Sequence, residues 1–379
     1  MYNIHSHYEN IFAYLKTIYQ EPVLLHLHPF GATDPEHLEL LHCNGSGRDP
    51  VFLCYDQEPL IKNFNNKLFE YIREQWGEKR TIILLNTEKN SSIKTEYLKK
   101  FQFKDCYYFF HAFAAADWYR GYRYCTELIE PAQRKIQKKY ITFNRLTGGA
   151  RMYRSVFIAE LARLGLLQYG HVSYNETCPE NSHYSEFLKD ENYVYQYNPN
   201  YLDEVKSILD GINFPLRIDT EQSTSIPNGS QTLSAIPECM ESFLHVVTET
   251  CFFDRKLHLT EKIFKPIVAK QPFVLLGCAN NLQYLKSYGF KTFSGWWDEN
   301  YDVIEDPQTR LQVVVDIINN ICQRSDSELE LMLKEMQSVL DYNYNHFYSN
   351  EFLDQVWSEL KFNINNVFFR PQLPTSLRT

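Results

Sequence analysis

Apolar residues fall into short runs that alternate with helical stretches. In the first third the runs are 23–27 (VLLHL), 51–55 (VFLCY), 81–85 (TIILL) and 106–110 (CYYFF), each ending in polar or turn residues. Runs of that length, rich in β-branched and aromatic residues, predict buried strands. Leu60, Phe64, Leu68, Tyr71 and Ile72 recur at helical spacing and predict a helix over 60–76. The segment 130–139 (EPAQRKIQKK) is charged and nearly free of apolar residues, so the domain boundary is placed there.

The pattern then restarts. Residues 140–143 (YITF) read as a strand, and 151–164 as a helix with Tyr153, Phe157, Leu161 and Leu164 on one face and Gly165 as its stop. Short apolar runs follow at 171–174 and 192–197, and 220–237, rich in Ser, Thr, Pro and Gly, reads as an exposed loop. After it come strand 243–248, helix 260–270, strand 272–276, helix 280–288, strand 290–293, and helices 307–323 and 326–341. Strand–helix alternation in both halves predicts an α/β protein of two Rossmann-like domains, each with a mostly parallel sheet. The expected domains are 1–135 and 136–350, with a C-terminal helix and tail over 351–379. Ligands in such sheets bind beyond the carboxyl ends of the strands. Between two such domains the cleft is the default site.

Composition narrows the choice of partner. The chain has 379 residues, 44% hydrophobic and 22% charged, as in an ordinary globular protein. A net charge of −9 argues against a general electrostatic grip on a nucleic-acid backbone, while leaving room for local basic pockets. The nine cysteines include no CxxC pair, which fits reduced thiols in a cytoplasmic protein better than a disulfide framework or a zinc site. No signal-peptide pattern opens the sequence, and the longest apolar runs are far too short to span a bilayer, so stable membrane insertion is not expected. The 27 tyrosines and 26 phenylalanines fit either a sugar-stacking surface or a biased gene composition.

Two helix starts carry the candidate binding chemistry. In HLTEKIFKP, Thr260 is placed as an N-cap and Glu261 suits the helix dipole. Lys262 opposes that dipole unless an anion sits there too. Backbone amides, dipole and ammonium together make a phosphate site, and Glu261 is placed to accept from ribose hydroxyls; the alternative is a capped surface helix with a Glu–Lys pair. In YITFNRLTGGARMYR a strand ends at Asn144 and Arg145, a TGG loop follows, and the next helix opens with Arg151 and Arg154 on one face. Arginine is the better bidentate partner for phosphate, and the alternative is a solvated basic patch. Two such junctions in one domain predict a diphosphate ligand. Neither GxxxxGK[ST] nor GxGxxG occurs, so ATPase and standard dinucleotide readings lose support.

The first domain supplies acids and histidines. Strand 51–55 runs into Asp56-Gln57-Glu58-Pro59, where either carboxylate is placed to act as a general base. The alternatives are a turn that caps the next helix, or a metal held between the two acids. His26 and His28 alternate to one face of the first strand, His111 follows the fourth run, and Asn86 and Glu88 follow the third. Any one of these histidines is more often structural, but three near strand ends predict one that faces the cleft, with His28 and His111 as the candidates. The acidic run 297–302 (WDENYD) reads as a loop or helix start, or else as a cation site.

With these residues placed, the second domain resembles the donor-binding half of GT-B glycosyltransferases, and is most similar to the α1,3-fucosyltransferase family. The resemblance covers roughly 140–277 and rests on Thr260-Glu261-Lys262, the Pro272–Gly277 strand (PFVLLG), and Phe143-Asn144 followed by Arg151 or Arg154. Phe143 stands where the family has serine. The segments FLCYDQEPL and WDENYD also look like glycosyltransferases of phages and large viruses. The resemblance implies two Rossmann-like domains facing a central cleft. It also implies that Glu261 contacts the ribose of a nucleotide sugar while Lys262 and Arg151 or Arg154 hold its diphosphate.

The resulting expectation is an inverting, metal-independent glycosyltransferase with no resident cofactor, located in the cytoplasm, or in the host cytoplasm for a viral protein. Asp56 or Glu58 deprotonates the acceptor hydroxyl, Glu249 at the end of strand 243–248 faces the site, and Asn144 positions a phosphate or the ribose. The acceptor stays open between a glycan, a protein side chain and a hydroxylated DNA base. A basic groove from Lys62, Lys67, Arg73, Arg120 and Arg123 competes with the reading of those residues as solvated helix faces. A nucleotide-sugar epimerase or hydrolase, or a non-catalytic glycan- or nucleotide-binding protein, is the alternative.

Overall fold

The computed structural model describes residues 6–29, 31–42, 47–119, 128–177, 183–190, 194–218 and 235–368. The chain divides into two compact units, one made of Met1–Asp117 with Leu353–Thr379, the other of Trp118–Phe352. Both are α/β, as the alternating pattern predicts.

The first unit is built on five strands: β1 Val23–Leu27, β2 Leu38–His42, β3 Val51–Cys54, β4 Ile82–Asn86 and β5 Lys104–Tyr107, in the order β2-β1-β3-β4-β5. All are parallel except the edge strand β2. β1, β3 and β4 are buried along their whole length, and this is why they read as continuous apolar runs rather than alternating ones. The strand order reverses at β1, so the switch point lies between β1 and β3. The last helix, Asn350–Asn366, packs Trp357 on His7 and Phe113, and Asn363 Nδ2 donates to the Tyr107 carbonyl at 2.7 Å.

The second unit carries four parallel strands in the order β7-β6-β8-β9: β6 Lys138–Asn144, β7 Gly170–Tyr174, β8 Ser242–Thr248 and β9 Phe273–Leu276. Here the order reverses at β6, which puts the switch point between β6 and β8. No described helix is long and apolar enough to cross a membrane.

Several elements differ from expectation for local reasons. The helix expected over 60–76 spans Asn66–Trp76, because Asn63 sits at φ +64° and Asn65 Oδ1 closes a turn onto the Ile61 amide at 3.1 Å. The fourth strand ends at Tyr107, opposite the last residue of β4, and Phe110 already opens the helix Phe110–Tyr119. Residues 260–270 form a 3-10 turn, Glu261–Ile263, and a short helix, Phe264–Val268, with Pro266 in its first turn, where a missing N–H is tolerated. No strand forms over 290–293. Instead the Asn343 side chain pairs with the backbone of Lys291, accepting its amide at 2.8 Å and donating to its carbonyl at 2.9 Å. Most of the loop expected over 220–237, and Arg120 and Arg123, lie outside the described residues.

Candidate active site

The donor-side candidates meet at the carboxyl end of the second sheet. Asn144 is the last residue of β6 and Glu249 the first after β8. Thr248 Oγ1 lies 3.0 Å from Asn144 Oδ1 and 3.1 Å from the Phe143 carbonyl oxygen, so its hydroxyl bridges the two strand ends at the switch point.

Glu249 is fully buried, and burial raises its carboxyl above the usual range even though the Lys262 ammonium and bonds from Thr260 pull it down. Oε2 accepts the Thr260 hydroxyl at 2.6 Å and Oε1 accepts the Thr260 amide at 3.1 Å. Thr260 is the N-cap, its hydroxyl oxygen accepting the Lys262 amide at 3.4 Å. Lys262 Nζ stands 2.9 Å from Glu261 Oε1, 3.1 Å from Thr260 Oγ1 and 3.4 Å from Thr250 Oγ1, with its side chain 29% exposed. The helix that follows spans only Phe264–Val268, so its dipole is small and the positive potential here comes from the ammonium itself.

The arginines separate into two kinds. Arg154, in the helix Tyr153–Arg163, is buried and its guanidinium bonds backbone: Nη1 donates to the Leu146 carbonyl at 2.7 Å, Nη2 to those of Thr248 at 2.7 Å and Glu249 at 3.1 Å. It therefore ties the 145–150 loop to the end of β8. Tyr153 reinforces this, donating its hydroxyl to the Glu249 carbonyl at 2.6 Å. Arg145, on that loop, is exposed, and Arg151, which closes the 3-10 turn Gly149–Arg151, is half-buried. That loop turns through Gly149 at φ +58°, with open space where a Cβ would stand. Thr147 Oγ1 is buried within it, without a hydrogen-bond partner among the described residues.

Sequence reasoning passed over Arg310. Its Nε donates to the Gly277 carbonyl at 3.0 Å, Nη1 to Ile304 at 2.5 Å and Nη2 to Phe252 at 2.5 Å, with the guanidinium 4.5 Å from the Phe252 ring centre. It fixes the exits of β8 and β9 together. The available signal was an arginine on the buried face of the amphipathic helix Pro307–Cys322.

In the first unit the acids lie beyond β3, at its switch point. Asp56 is 1% exposed; Oδ1 accepts the Tyr8 hydroxyl at 3.0 Å and Oδ2 accepts the Tyr108 hydroxyl. Burial pushes this carboxyl up from 3.8 to about 7, against the pull of the two tyrosines. The network continues to His7, whose Nε2 lies 3.1 Å from the Tyr108 hydroxyl, and to Gln57, whose Nε2 donates to Tyr8 at 2.8 Å. Gln57 Oε1 also accepts the Gly31 amide, joining the loops after β1 and β3. Glu58 is half-buried, and its Oε1 would lie 3.5 Å from a Cβ at Gly31.

The remaining candidates divide similarly. The His28 side chain is 61% exposed, with Nδ1 3.5 Å from Glu39 Oε1, while His26 Nε2 lies 3.2 Å from Glu39 Oε2. His111 is buried in the first turn of its helix, edge-on to Phe110. Glu88 accepts the Leu60 amide at 2.8 Å, and Asn86 Nδ2 donates to Asp105 at 2.8 Å, so both brace loops. The acidic run after Trp297 is taken up structurally: Asp302 accepts the amides of Leu282 and Gln283 at 2.8 and 2.9 Å, and Glu299 accepts Lys286 Nζ at 2.9 Å. Among the described residues the ligand atoms of Asp34, Glu36 and His37 lie within 4.8 Å of one another, with Glu36 exposed and the other two half-buried.

No family model and no curated protein matches the chain. It is similar to a solved structure of the DNA-modifying enzyme β-glucosyltransferase, determined in the presence and absence of its substrate uridine diphosphoglucose. The two share 10% identity over 82% of this chain and 74% of that one, with a TM-score of 0.40.

Proposed function

We propose that the protein is a glycosyltransferase that moves a sugar from a nucleoside-diphosphate sugar to an acceptor hydroxyl, with inversion and without a metal. The observation that carries this reading is the placement of Lys262. A buried carboxylate, Glu249, fixes the turn that presents a partly exposed ammonium beside the carboxyl end of β8, one of the two strands that flank the switch point. In this reading the diphosphate lies beside Lys262, with Arg145 and Arg151 as further cations and Asn144 and Glu261 as partners for phosphate or ribose. Arg154 positions the loop.

In the reaction the acceptor oxygen forms a bond to the anomeric carbon as the bond from that carbon to the diphosphate oxygen breaks. The electron pair leaves with the diphosphate, where Lys262 and the arginines offset the growing charge. The acceptor's proton passes to a general base, Asp56 or Glu58. Glu58 suits this role better than Asp56, because both Asp56 oxygens already accept tyrosine hydroxyls. The same bonds leave Asp56 poorly placed to hold a metal, and the basic groups supply neutralisation without one.

The test is a thermal-shift screen of the full chain against UDP, GDP, CDP and ADP, in EDTA and with Mg²⁺ or Mn²⁺. A ligand that binds only the folded state at ~100-fold excess over Kd stabilises it by about 2.7 kcal/mol. A shift with one diphosphate in EDTA is expected, and a GDP shift would extend the reading to a fucosyl-type donor. A shift that needs metal would overturn the metal-free part. No shift with any nucleotide would overturn the whole.

A further inference from the structure

An ammonium has three N–H donors, and three oxygens surround that of Lys262. It donates to Glu261 Oε1 at 2.9 Å, to Thr260 Oγ1 at 3.1 Å and to Thr250 Oγ1 at 3.4 Å. The two threonines are buried and tied to Glu249 Oε2, the Thr260 hydroxyl donating to it at 2.6 Å and the Thr250 amide at 3.3 Å. Glu261 differs in kind. It belongs to the same 3-10 turn as Lys262, is buried, and sets a full negative charge against the ammonium. Glu249 is a second carboxylate within electrostatic reach: burial raises its carboxyl, the Lys262 ammonium lowers it, and Glu261 raises it again. One cation therefore stands among two acids, and an anion of the chain itself already occupies it.

We propose that Glu261 is the specificity residue of the donor site: it holds the anion position against bare phosphates and yields to a ligand that brings hydroxyl donors along with its diphosphate. This rests on the reading of Lys262 as the diphosphate partner. A phosphate oxygen that approaches Lys262 meets the Glu261 carboxylate, and like charges in contact repel strongly where water is scarce. Turning Glu261 away strips a buried carboxylate of its ammonium, which is unfavourable unless other donors replace it. A nucleoside diphosphate answers both demands. Its diphosphate takes the place of Glu261 on Lys262, and its ribose hydroxyls take the place of Lys262 on Glu261. Inorganic pyrophosphate has no ribose and answers only the first.

Isothermal titration calorimetry of the full chain in EDTA, with inorganic pyrophosphate and with UDP, GDP, CDP and ADP, tests the proposal. In the wild-type protein one nucleoside diphosphate is expected to bind about 100-fold or more tighter than pyrophosphate. Glu261→Gln keeps the shape and an acceptor for Lys262 but removes the charge. It is expected to tighten pyrophosphate about tenfold or more and the nucleotide less, so that the preference shrinks. Glu261→Ala is expected to act in the same direction, and the double variant Glu261→Gln, Lys262→Met to lose the gain. A merely structural role for Glu261 would weaken both ligands together. Pyrophosphate binding that stays unchanged or weakens in both single variants would overturn the proposal, as would a gain that survives loss of Lys262, or a wild-type protein that binds pyrophosphate as tightly as the nucleotide. Pyrophosphate binding gained in Glu261→Gln, with no nucleotide bound by either protein, would uphold the exclusion by Glu261 and overturn the glycosyltransferase reading instead. No binding of any anion to any of the proteins would overturn both.

Discussion

Thr260 gives both of its donors to one buried carboxylate: the hydroxyl to Glu249 Oε2 at 2.6 Å and the amide to Oε1 at 3.1 Å. The end of β8 thereby holds the start of the turn that carries Lys262. Glu249→Ala strands these donors in a buried place, at a cost of about 2–4 kcal/mol. Thr260→Val removes one bond and costs less, about 1–2 kcal/mol. Because the two residues act on one contact, the double variant is expected to lose less than the sum of the singles. Calorimetric unfolding of the four proteins measures this, and strictly additive losses would show that the contact does not hold the turn.

Lys262 and Arg154 should separate binding from stability. Lys262→Met removes a partly exposed ammonium paired with Glu261, at a stability cost within about 1 kcal/mol. It is expected to abolish the thermal shift with nucleoside diphosphate. Arg154→Lys cannot reproduce a planar fork that reaches three carbonyls, and should lower stability by roughly 1–3 kcal/mol while leaving part of the shift. The reverse pattern would make Arg154 the ligand cation and Lys262 a surface group.

The sequence made the sheets legible because buried parallel strands leave continuous apolar runs, as 23–27, 51–54 and 82–86 do. It also placed Asn144 and Glu249 at strand ends and Thr260 and Lys262 at a capped helical start, where local spacing carries the information. Three kinds of feature stayed hidden. Arg154 reads as a phosphate ligand from its position in a first turn, and only the fold shows that backbone carbonyls take its donors. The Tyr8–Asp56–Tyr108 network joins residues 48 and 52 positions apart, which no local pattern reports. The expected strand at 290–293 fails because one distant side chain, Asn343, occupies the backbone groups a neighbouring strand would need.

Asp56 gives a pH dependence with a definite sign. Its carboxyl titrates at about 7 when folded, chiefly because it is buried, against an ordinary 3.8 when unfolded. Between those values the folded chain keeps a proton that the unfolded chain has released, so stability falls as pH rises and the loss is complete above about 7. Tyr8, Tyr108 and Cys54 around it are raised by burial and stay protonated throughout. His7, reached through Tyr108, and His245 are each held down to about 3 and act in the opposite sense, costing stability as pH falls below ~6.5. Asp56→Asn keeps both histidines, so the comparison isolates the carboxyl. The variant's stability relative to wild type is expected to climb from pH ~4 to ~7 and then level, by roughly 4 kcal/mol at most. A difference that stays flat with pH would show that Asp56 ionises in its ordinary range.

Glu58 is the sharper test of the chemistry, since it separates catalysis from donor binding. It lies beyond β3, half-buried, next to the Gly31 turn that Gln57 holds in place. A general base must reach the acceptor's proton, and its removal typically costs 10²–10⁴-fold in rate. Glu58→Gln keeps the shape and removes the basic oxygen. Once the donor nucleotide is known, this variant is expected to lose about 10²-fold or more in kcat for sugar transfer, with the diphosphate thermal shift and the donor KM unchanged. Asp56→Asn should cost far less, because the tyrosine hydroxyls already screen that carboxyl from any acceptor. Loss of transfer in Asp56→Asn with full activity in Glu58→Gln would reverse the assignment and imply that Tyr8 or Tyr108 relays the proton to Asp56.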